Sequence, residues 1–263
     1  MPQVAAADWG VEGDAVRVVI VGASGTMGAL VSEALTQRGA DVLRAHRGSG
    51  VDAQSGAGLA QAVVGSDVVV DCLNITTQSA AKAKAFFGTA ATNIAGAAEQ
   101  AGARVVCLSI CNAADPAVNR RMGYYQGKAA QEAAYAQRLG DRCTLVRTTQ
   151  WFELAQTMTD QLSAGPVALM PHMVTAPLAA SDGAAAIVDE VLEPSGRHAI
   201  EVRGPQEMDL VDVARAIRSA HGKGGWLIPI RFGGAALRNG ALIPAHADVV
   251  TTTTLDQWLA ASN

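Results

Sequence analysis

Short apolar runs alternate with longer amphipathic stretches along the first 150 residues. The runs are rich in Val and Ile, and several carry apolar residues at consecutive positions, which is typical of strands buried on both faces. The amphipathic stretches repeat apolar residues every three or four positions, and several end at glycine, as helices do. Strands that alternate with helices predict a doubly wound parallel sheet with right-handed crossovers.

The predicted elements cover most of the chain. Strands are predicted over Arg17–Val21, Asp41–Ala45, Asp67–Leu73, Arg104–Ile110, Cys143–Arg147, His198–Val202 and Trp226–Ile230. Helices are predicted from Gly28 to Gly39 and over Gly58–Val64, Ser79–Ala101, Arg121–Leu139, Trp151–Leu162, Asp182–Leu192, Asp209–Ala220 and Leu255–Ala261, with Asp209 and Thr254 as caps. Three parts are expected: a loose extension over 1–14, an α/β domain over 15–150, and a smaller portion over 151–263 packed on the same core.

The turn after the first strand has the pattern of a dinucleotide site. VVIVGASGTMG places Gly22, Gly25 and Gly28 between a strand and a helix. The first glycine permits a tight turn, the second allows close approach of a pyrophosphate, and the third allows close packing of helix on strand. The helix N-terminus then faces the phosphates. We expect Gly22, Ser24, Gly25, Thr26, Met27 and Gly28 to contact a dinucleotide.

The end of the second predicted strand bears on which dinucleotide is bound. Arg47 stands about 20 residues past the glycines, where an acidic residue would bind the ribose of NAD and an arginine would meet the 2′-phosphate of NADP. Arg44 precedes it on the strand. NADP is therefore the predicted cofactor, while Asp52 lies close enough in sequence to keep NAD open.

Composition narrows the class of protein. Hydrophobic residues make up 49% and charged residues 17%, which is enough apolar material for a large core. The net charge of −4 and the 4% of aromatic residues give no basic surface or stacking platform for nucleic acid. We found neither a basic and apolar leader nor an apolar run long enough for a membrane span, so we expect a cytoplasmic protein without a membrane partner.

The four cysteines do not suggest a metal site. Cys72, Cys107 and Cys143 fall in predicted strands and Cys111 follows one, at spacings that match no metal motif. Reduced, mostly buried thiols are the expectation, with no metal ion.

Polar residues at strand ends suggest where the chemistry takes place. Because the carboxyl ends of parallel strands form one edge, Asn74, Ser109 and the stretch 148–151 are expected to line one crevice, with Asn74 near the cofactor. Tyr124 and Lys128 are four residues apart and share a helix face. The Lys128 ammonium should lower the pKa of Tyr124 and prepare it for proton transfer, and Ser109 should polarise a substrate carbonyl.

Residues past the fifth strand are candidates for substrate binding. Gln150 and Trp151 follow that strand directly, and His172 lies in a segment, 165–177, that is broken by Gly and Pro and could cover the substrate. A lone histidine is also common as a surface or packing residue, so both interpretations of His172 stay open.

The chain resembles a known superfamily. VGASGTMG, the Arg47 junction, LSI at 108–110, GYYQGKAAQE at 123–132 and RTTQWFE at 147–153 are similar to the atypical short-chain dehydrogenases/reductases, in particular the NmrA-like NAD(P)-binding branch, from about residue 16 onward. The resemblance implies a Rossmann-type domain, a preference for NADP(H), and a Ser/Tyr/Lys set at Ser109, Tyr124 and Lys128, with Lys128 also holding the nicotinamide ribose. The interval from Ser109 to Tyr124 differs from the superfamily's common spacings, which leaves open whether Ser109 reaches the carbonyl.

Three functions fit this sequence. The first is an NADP-dependent reductase of a small carbonyl, enone or quinone, acting as a monomer or homodimer on a small-molecule substrate. The second is a cofactor-binding redox sensor without turnover, as the NmrA-like resemblance implies. The third is a nucleotide-sugar epimerase or dehydratase, ranked last because the residues after Gln150 must also complete the fold and leave little room for such a substrate.

Overall fold

The computed structural model describes residues 15–165 and 167–262, so the predicted extension over 1–14 lies outside the described residues. The strands in chain order are β1 (Arg17–Val21), β2 (Asp41–Ala45), β3 (Val68–Asp71), β4 (Arg104–Ile110), β5 (Cys143–Thr148), β6 (Ser163–Ala164), β7 (Val167–Pro171), β8 (Val174–Thr175), β9 (Ala199–Arg203), β10 (Met208–Asp209), β11 (Trp226–Ile230) and β12 (Val249–Val250). The α-helices are α1 (Thr26–Gln37), α2 (Leu59–Ala62), α3 (Ala80–Ala101), α4 (Pro116–Asn119), α5 (Gly123–Leu139), α6 (Phe152–Gln161), α7 (Ala180–Leu192), α8 (Leu210–Ala220), α9 (Ala235–Arg238) and α10 (Leu255–Ala261).

The central sheet has seven parallel strands in the order β12-β9-β5-β4-β3-β1-β2. The chain runs from β1 to β2 at one edge and then returns to β3 on the other side of β1. This reversal opens a crevice beyond the carboxyl ends of β1 and β3, where ligands bind in sheets of this kind. The predicted α/β class with a doubly wound, Rossmann-type sheet is confirmed.

Alternating side chains of the strands build a core on each face of the sheet. Val19 and Val21 belong to one core, which includes Ile94 of α3 and Tyr135 of α5. Val18 and Ile20 belong to the other, formed with α1 and α7. Helices therefore cover both faces, which explains why the strands read as continuous apolar runs.

The portion after β5 completes this sheet and adds a third core. It supplies β9 and β12 to the central sheet, together with a small sheet of order β11-β7-β6 and a β10–β8 pair. Phe152, Met170 and Leu210 pack in the third core against Met122 and Tyr125 at the start of α5. This portion therefore completes the central sheet and packs through its own core against the start of α5.

The structure differs from the sequence prediction at the start of one helix and at the end of one strand near the crevice. The helix predicted from Arg121 begins at Gly123, as α5, and a short helix that the sequence did not predict, α4, precedes it; Asp115 caps α4 by accepting the Ala117 N–H. A Cβ at Gly123 would lie 2.3 Å from the carbonyl oxygen of Gln78, so the second helix begins where the chain packs closest to the start of α3. β3 ends at Asp71 because its carboxylate accepts the Leu73 N–H and turns the chain.

The segment predicted to be broken by Gly and Pro contains β7 and β8. β7 pairs in parallel with β11 and antiparallel with β6. The pairing with β11 joins positions far apart in the chain, so no local pattern announces it. The predicted caps are confirmed, since Asp209 accepts the Val211 N–H and Thr254 accepts the Gln257 N–H.

The burial of the cysteines and the length and apolar character of the helices can be read from the described residues. All four cysteines are free and buried, as predicted, and burial raises the pKa of each thiol, that of Cys143 to about 12. None of the helices over 15–165 and 167–262 has the length and apolar character needed to cross a membrane.

Candidate functional site

Two of the three turn glycines are required by the fold itself. Gly22 has φ +85°, and a Cβ there would lie 3.0 Å from backbone atoms of Cys72 and Leu73. A Cβ at Gly28 would lie only 2.3 Å from the carbonyl oxygen of Gly22. These two positions hold the turn against β3 and hold α1 against the turn.

Gly25 differs, because the protein leaves room for a side chain there. Its φ of −83° suits any residue, and the nearest atom to an added Cβ is the Gly22 oxygen at 3.4 Å. Gly25 is the N-cap of α1, which has no side-chain cap and no acidic residue in its first turn. An open, uncapped helix N-terminus with no side chain at its cap fits the pyrophosphate of a dinucleotide.

The other predicted turn contacts differ in exposure. Ser24 and Thr26 are exposed beside Gly25, whereas the Met27 side chain is buried in the core formed with α7. Only backbone atoms of Met27 are therefore candidates to contact a ligand.

Two arginines stand next to this turn. The carbonyl oxygen of Ala45, the last residue of β2, accepts the Gly22 N–H at 3.0 Å, which places the end of β2 against the turn. Arg44 donates to the carbonyl oxygen of Ala23 at 3.3 Å, and Arg47 is exposed in the 3₁₀ turn that follows. Asp52 instead accepts the Gln54 N–H in its own loop. These positions fit a 2′-phosphate better than a free ribose diol.

Tyr124, near the start of α5, contacts the loop that follows β3. Its hydroxyl donates to Oδ1 of Asn74 at 2.8 Å, and the Ile75 N–H donates to the same oxygen at 2.8 Å. The ring packs edge-on against Phe87 at 5.6 Å between centroids. Burial raises the pKa of Tyr124, and the Lys128 charge offsets only part of that rise. The predicted net lowering of this pKa is therefore wrong for the free protein, since desolvation outweighs the lysine.

Lys128 is buried one helical turn from Tyr124, at the centre of a polar network. Its ammonium donates to the Leu108 carbonyl oxygen at 2.9 Å and to Oε1 of Gln131 at 2.8 Å, and lies 4.6 Å from the Phe87 ring centroid. Gln131 in turn donates to Oδ2 of Asp71 at 2.7 Å. The amide therefore links the lysine to a fully buried carboxylate.

Asp71 and Gln131 are residues that sequence reasoning missed. Asp71 also accepts from the Tyr135 hydroxyl at 2.8 Å and from the Leu73 N–H at 2.9 Å. In all of these bonds Asp71 is the acceptor. The available signal was an acid inside an apolar run, in VVVDCL, together with polar residues three and seven positions after Lys128.

Ser109 lies in a different polar cluster. It is fully buried, and its hydroxyl donates to Oε1 of Glu132 at 2.5 Å. Glu132 also accepts from Arg147 at 3.1 and 2.6 Å, and Arg147 donates to Glu201 at 3.0 Å. Burial acts to lower the pKa of Arg147, but the two glutamates outweigh it and raise the pKa. The Ser109 hydroxyl thus binds Glu132 in the protein interior and makes no hydrogen bond to Tyr124.

The three predicted substrate residues also have protein partners. Gln150 is buried and accepts from the Thr175 hydroxyl, and Trp151 donates from its indole N–H to the Thr148 hydroxyl at 3.0 Å. His172 pairs with Asp209 at 2.7 Å. Burial acts to raise the pKa of Asp209, but hydrogen bonds from His172 and two backbone N–H groups leave it lowered. His172 therefore supports the residue that caps α8.

A polar cleft of about 570 Å³ opens farther along the same edge of the sheet. Arg203, the last residue of β9, and Val250, the last of β12, line it together with Glu207, Asn239 and His246. The cleft is large enough for a small organic ligand. Within 15–165 and 167–262, we found no group of three or more His, Cys, Asp or Glu side chains that could hold a metal ion.

No family model matches the chain, and no curated protein matches it by sequence. Solved structures resemble it in fold. A hypothetical dTDP-4-dehydrorhamnose reductase from Sulfolobus tokodaii is 18% identical, with 92% of this chain and 98% of that chain covered and a TM-score of 0.67. A short-chain dehydrogenase/reductase superfamily protein from Agrobacterium tumefaciens with bound NAD is 15% identical, with 94% and 95% covered and a TM-score of 0.67.

A third similar structure is that of dTDP-4-dehydrorhamnose reductase from Bacillus anthracis in complex with NADP. It is 17% identical, with 83% of this chain and 85% of that chain covered and a TM-score of 0.64. At such identities the comparisons establish a shared fold: this chain has the fold of these structures over 83 to 94% of its length.

Proposed function

We propose that this protein binds NADP(H) beside the glycine turn and reduces a carbonyl group, with Tyr124 as the proton donor. The observation that carries the proposal is the placement of the Tyr124 hydroxyl at the end of β3, hydrogen-bonded to Asn74, with the buried Lys128 ammonium one turn away. Tyrosine and lysine in this relation suit transfer of a proton to a substrate oxygen.

The cofactor assignment has its own support. The open space at Gly25 and the uncapped start of α1 fit a pyrophosphate, and Arg44 and Arg47 fit a 2′-phosphate. Two similar structures hold NADP and NAD, respectively. NADP is the favoured cofactor and NAD the alternative. When bound, the reduced nicotinamide supplies a hydride.

The chain's own residues would handle the charge and the proton. As the carbonyl carbon gains the hydride, electrons of the double bond move to the oxygen, which takes the proton from Tyr124 and becomes an alcohol. The phenolate left behind is stabilised by the Lys128 ammonium and regains its proton from water. Raised by burial, the pKa of Tyr124 keeps the group protonated, as a proton donor must be, before the substrate arrives.

The preferred substrate class shifts from that expected from the sequence. A nucleotide sugar was ranked last because the residues after Gln150 also complete the fold, yet the hypothetical dTDP-4-dehydrorhamnose reductase from Sulfolobus tokodaii is covered over 98% of its own length by this chain. This similarity in length and fold weighs against that ranking. We place the carbonyl of a nucleotide-linked sugar ahead of a small free carbonyl, enone or quinone, with the cleft at Arg203 as space for the remainder of such a substrate.

The alternative function is a redox sensor of the NmrA-like kind, which binds the cofactor without turnover. The placement of the chain in that branch stays a prediction. Turnover separates the two functions, because both bind the cofactor.

The test compares Tyr124→Phe with Tyr125→Phe. NADPH absorbance is followed with dTDP-linked keto sugars, aldehydes and quinones, and NADPH binding is measured by fluorescence. Tyr124→Phe should lower kcat by about a hundredfold or more with little change in the Kd for NADPH, because only the proton donor is lost. The neighbouring Tyr125 hydroxyl points to the Met173 sulfur, so its removal should have little effect on kcat.

The reductase function is wrong if the wild type binds NADPH but none of the tested carbonyl compounds causes it to oxidise the cofactor. It is also wrong if Tyr124→Phe turns over as fast as the wild type. The first result would favour the sensor. Equal loss in both tyrosine variants would point to damaged packing rather than to a missing proton donor.

A further inference from the structure

The end of β4 offers no free hydroxyl donor for a substrate carbonyl. The Ser109 hydroxyl is committed to Glu132 in a fully buried position, and the next residue, Ile110, is apolar. The Cys111 thiol follows and donates to the carbonyl oxygen of Arg147. A reductase that uses Tyr124 therefore needs its second hydrogen-bond donor from another element.

Asn74 is the polar side chain in contact with Tyr124. Its Oδ1 accepts from both the Tyr124 hydroxyl and the Ile75 N–H, each at 2.8 Å. Its Nδ2 makes no hydrogen bond to the part of the chain that the structure describes, and the side chain is exposed at the mouth of the crevice. Since both amide atoms are bonded to one carbon, the free N–H group lies beside the phenolic oxygen.

We propose that Asn74 is the donor that stabilises negative charge beside Tyr124, in place of the serine expected from sequence. The proposal rests on the proposed reductase function. The substrate oxygen would accept hydrogen bonds from Nδ2 of Asn74 and from the Tyr124 hydroxyl, which would leave Oδ1 of Asn74 to make this bond. This differs from the cofactor contact that the sequence predicts for Asn74.

The charges balance within this arrangement. Hydride addition to the carbonyl carbon breaks the carbon–oxygen double bond and moves its electron pair to the oxygen. The oxygen takes the Tyr124 proton, which leaves an alcohol and a phenolate. The Asn74 amide, by turning about its last bond, donates to that phenolate until water reprotonates it. Hydrogen bonds to a charged oxygen are stronger than those to a neutral one, so the amide favours the ionised state.

The surroundings of Tyr124 allow this effect to be measured without turnover. Lys128 is the charged group that acts on Tyr124, and Tyr125 is the adjacent titratable side chain. The chain has three tyrosines, and burial raises the pKa of Tyr125 and Tyr135 well above the ordinary value. The first tyrosinate absorbance near 295 nm on raising the pH should therefore come from Tyr124.

The first experiment is this titration in the cofactor-free protein, with circular dichroism to confirm that the fold persists over the pH range. Asn74→Ala should shift the first tyrosinate step upward by about one pH unit, the worth of one charge-assisted hydrogen bond. Asn74→Asp should shift it further, because a carboxylate repels the phenolate. Ser109→Ala should leave the step in place.

The second experiment measures kcat and the Kd for NADPH in the same variants. Asn74→Ala should lower kcat by about a hundredfold with the NADPH Kd within twofold of the wild type. Ser109→Ala should lower kcat by less than fivefold. Loss of NADPH affinity at unchanged kcat would make Asn74 a cofactor contact, and a larger loss in Ser109→Ala would return the role to the serine; both results overturn the proposal.

Failure of the proposed function gives a different result. If the wild type reduces no carbonyl, the reductase function falls and the carbonyl role of Asn74 falls with it, whereas the titration still decides whether the amide donates to the phenolate. If Tyr124→Phe is inactive but Asn74→Ala matches the wild type in both experiments, the reductase stands and this inference alone is wrong.

Discussion

Two neighbouring regions at the carboxyl ends of the strands differ in whether their polar groups can reach a ligand. We call the ends of β1 and β3, with the start of α1, the open part, and the ends of β4 and β5 the closed part. At the ends of β1 and β3, Gly25 leaves open space and the N-terminus of α1 has no side-chain cap, while Nδ2 of Asn74, beside Tyr124, has no hydrogen-bond partner within 15–165 and 167–262. At the ends of β4 and β5, Ser109 and Arg147 are joined through Glu132 inside the protein. The Ser109 and Arg147 side chains are thus engaged inside the fold, whereas the start of α1 and the exposed Asn74 side chain remain accessible to a ligand.

The closed part consists of side chains from four elements. Glu132 of α5 receives Ser109 of β4 and Arg147 of β5, and Arg147 also reaches Glu201 of β9. A carboxylate that is 6% exposed needs such partners to offset its lost hydration. The open part needs no such compensation, because its unpaired groups face solvent.

The largest effect should follow from breaking the closed part. Glu132→Ala leaves the Arg147 guanidinium without its bidentate partner and the Ser109 hydroxyl without an acceptor, which should lower the free energy of unfolding by about 3 kcal/mol. Urea denaturation followed by circular dichroism measures the loss. NADPH affinity of the folded fraction should stay near that of the wild type.

The matched control is Glu99→Ala. Glu99 pairs with Arg138 and Arg142 on the surface, with 45% of its side chain exposed, and should contribute less than about 1 kcal/mol. Equal stability losses in the two variants would contradict the distinction between a buried cluster and a solvated one. A collapse of NADPH binding in fully folded Glu132→Ala would show that the closed part also serves the ligand.

The next effect should come from closing the open part. Gly25→Ala adds a methyl group that the protein accommodates but that occupies the approach to the start of α1. Stability should change by less than about 1 kcal/mol, since the backbone at Gly25 is compatible with alanine. The Kd for NADPH should rise about a hundredfold through loss of backbone hydrogen bonds to phosphate.

Gly88→Ala is a suitable comparison for that variant. Gly88 lies within α3, and an added Cβ would come no closer than 4.0 Å to the Ala130 side chain. It should bind NADPH as the wild type does and gain slightly in stability. If Gly25→Ala bound NADPH normally, the pyrophosphate would not lie against Gly25, and the dinucleotide assignment would lose its main structural support.

The open part was well predicted from sequence because its signals are local. A strand, three glycines and a helix follow one another within VVIVGASGTMG, and the bounds of β1 and β2 agree with the prediction. The closed part depends on pairing between distant residues. The alternation of side chains along β4 shows that Ser109 points to one face of the sheet, but it does not show that Glu132 of α5 lies on that face.

A partial signal for the closed part was nevertheless present. Glu132 lies four residues after Lys128 on the helix face that packs toward the sheet, where a charge requires a buried partner. Asking which residue could satisfy it would have raised Arg147 and Ser109 as candidates. The parallel pairing of β7 with β11 had no comparable local signal, and neither did the cleft at Arg203.

The smallest effect tests how the open part selects its cofactor. Arg47→Ala should lower the ratio of NADPH to NADH affinity by about tenfold, because one charge-assisted contact to the 2′-phosphate is lost while contacts shared by both cofactors remain. Isothermal titration with each cofactor gives the ratio, and Arg231→Ala, which removes another exposed arginine, controls for net charge.

Because Arg47 is solvent-exposed, the wild-type preference for NADPH over NADH should also weaken as salt is added, and Arg47→Ala should lose this salt dependence. An unchanged ratio would move the 2′-phosphate contact to Arg44, which already donates to the Ala23 carbonyl, whereas a wild-type preference for NADH would assign the ribose to Asp52.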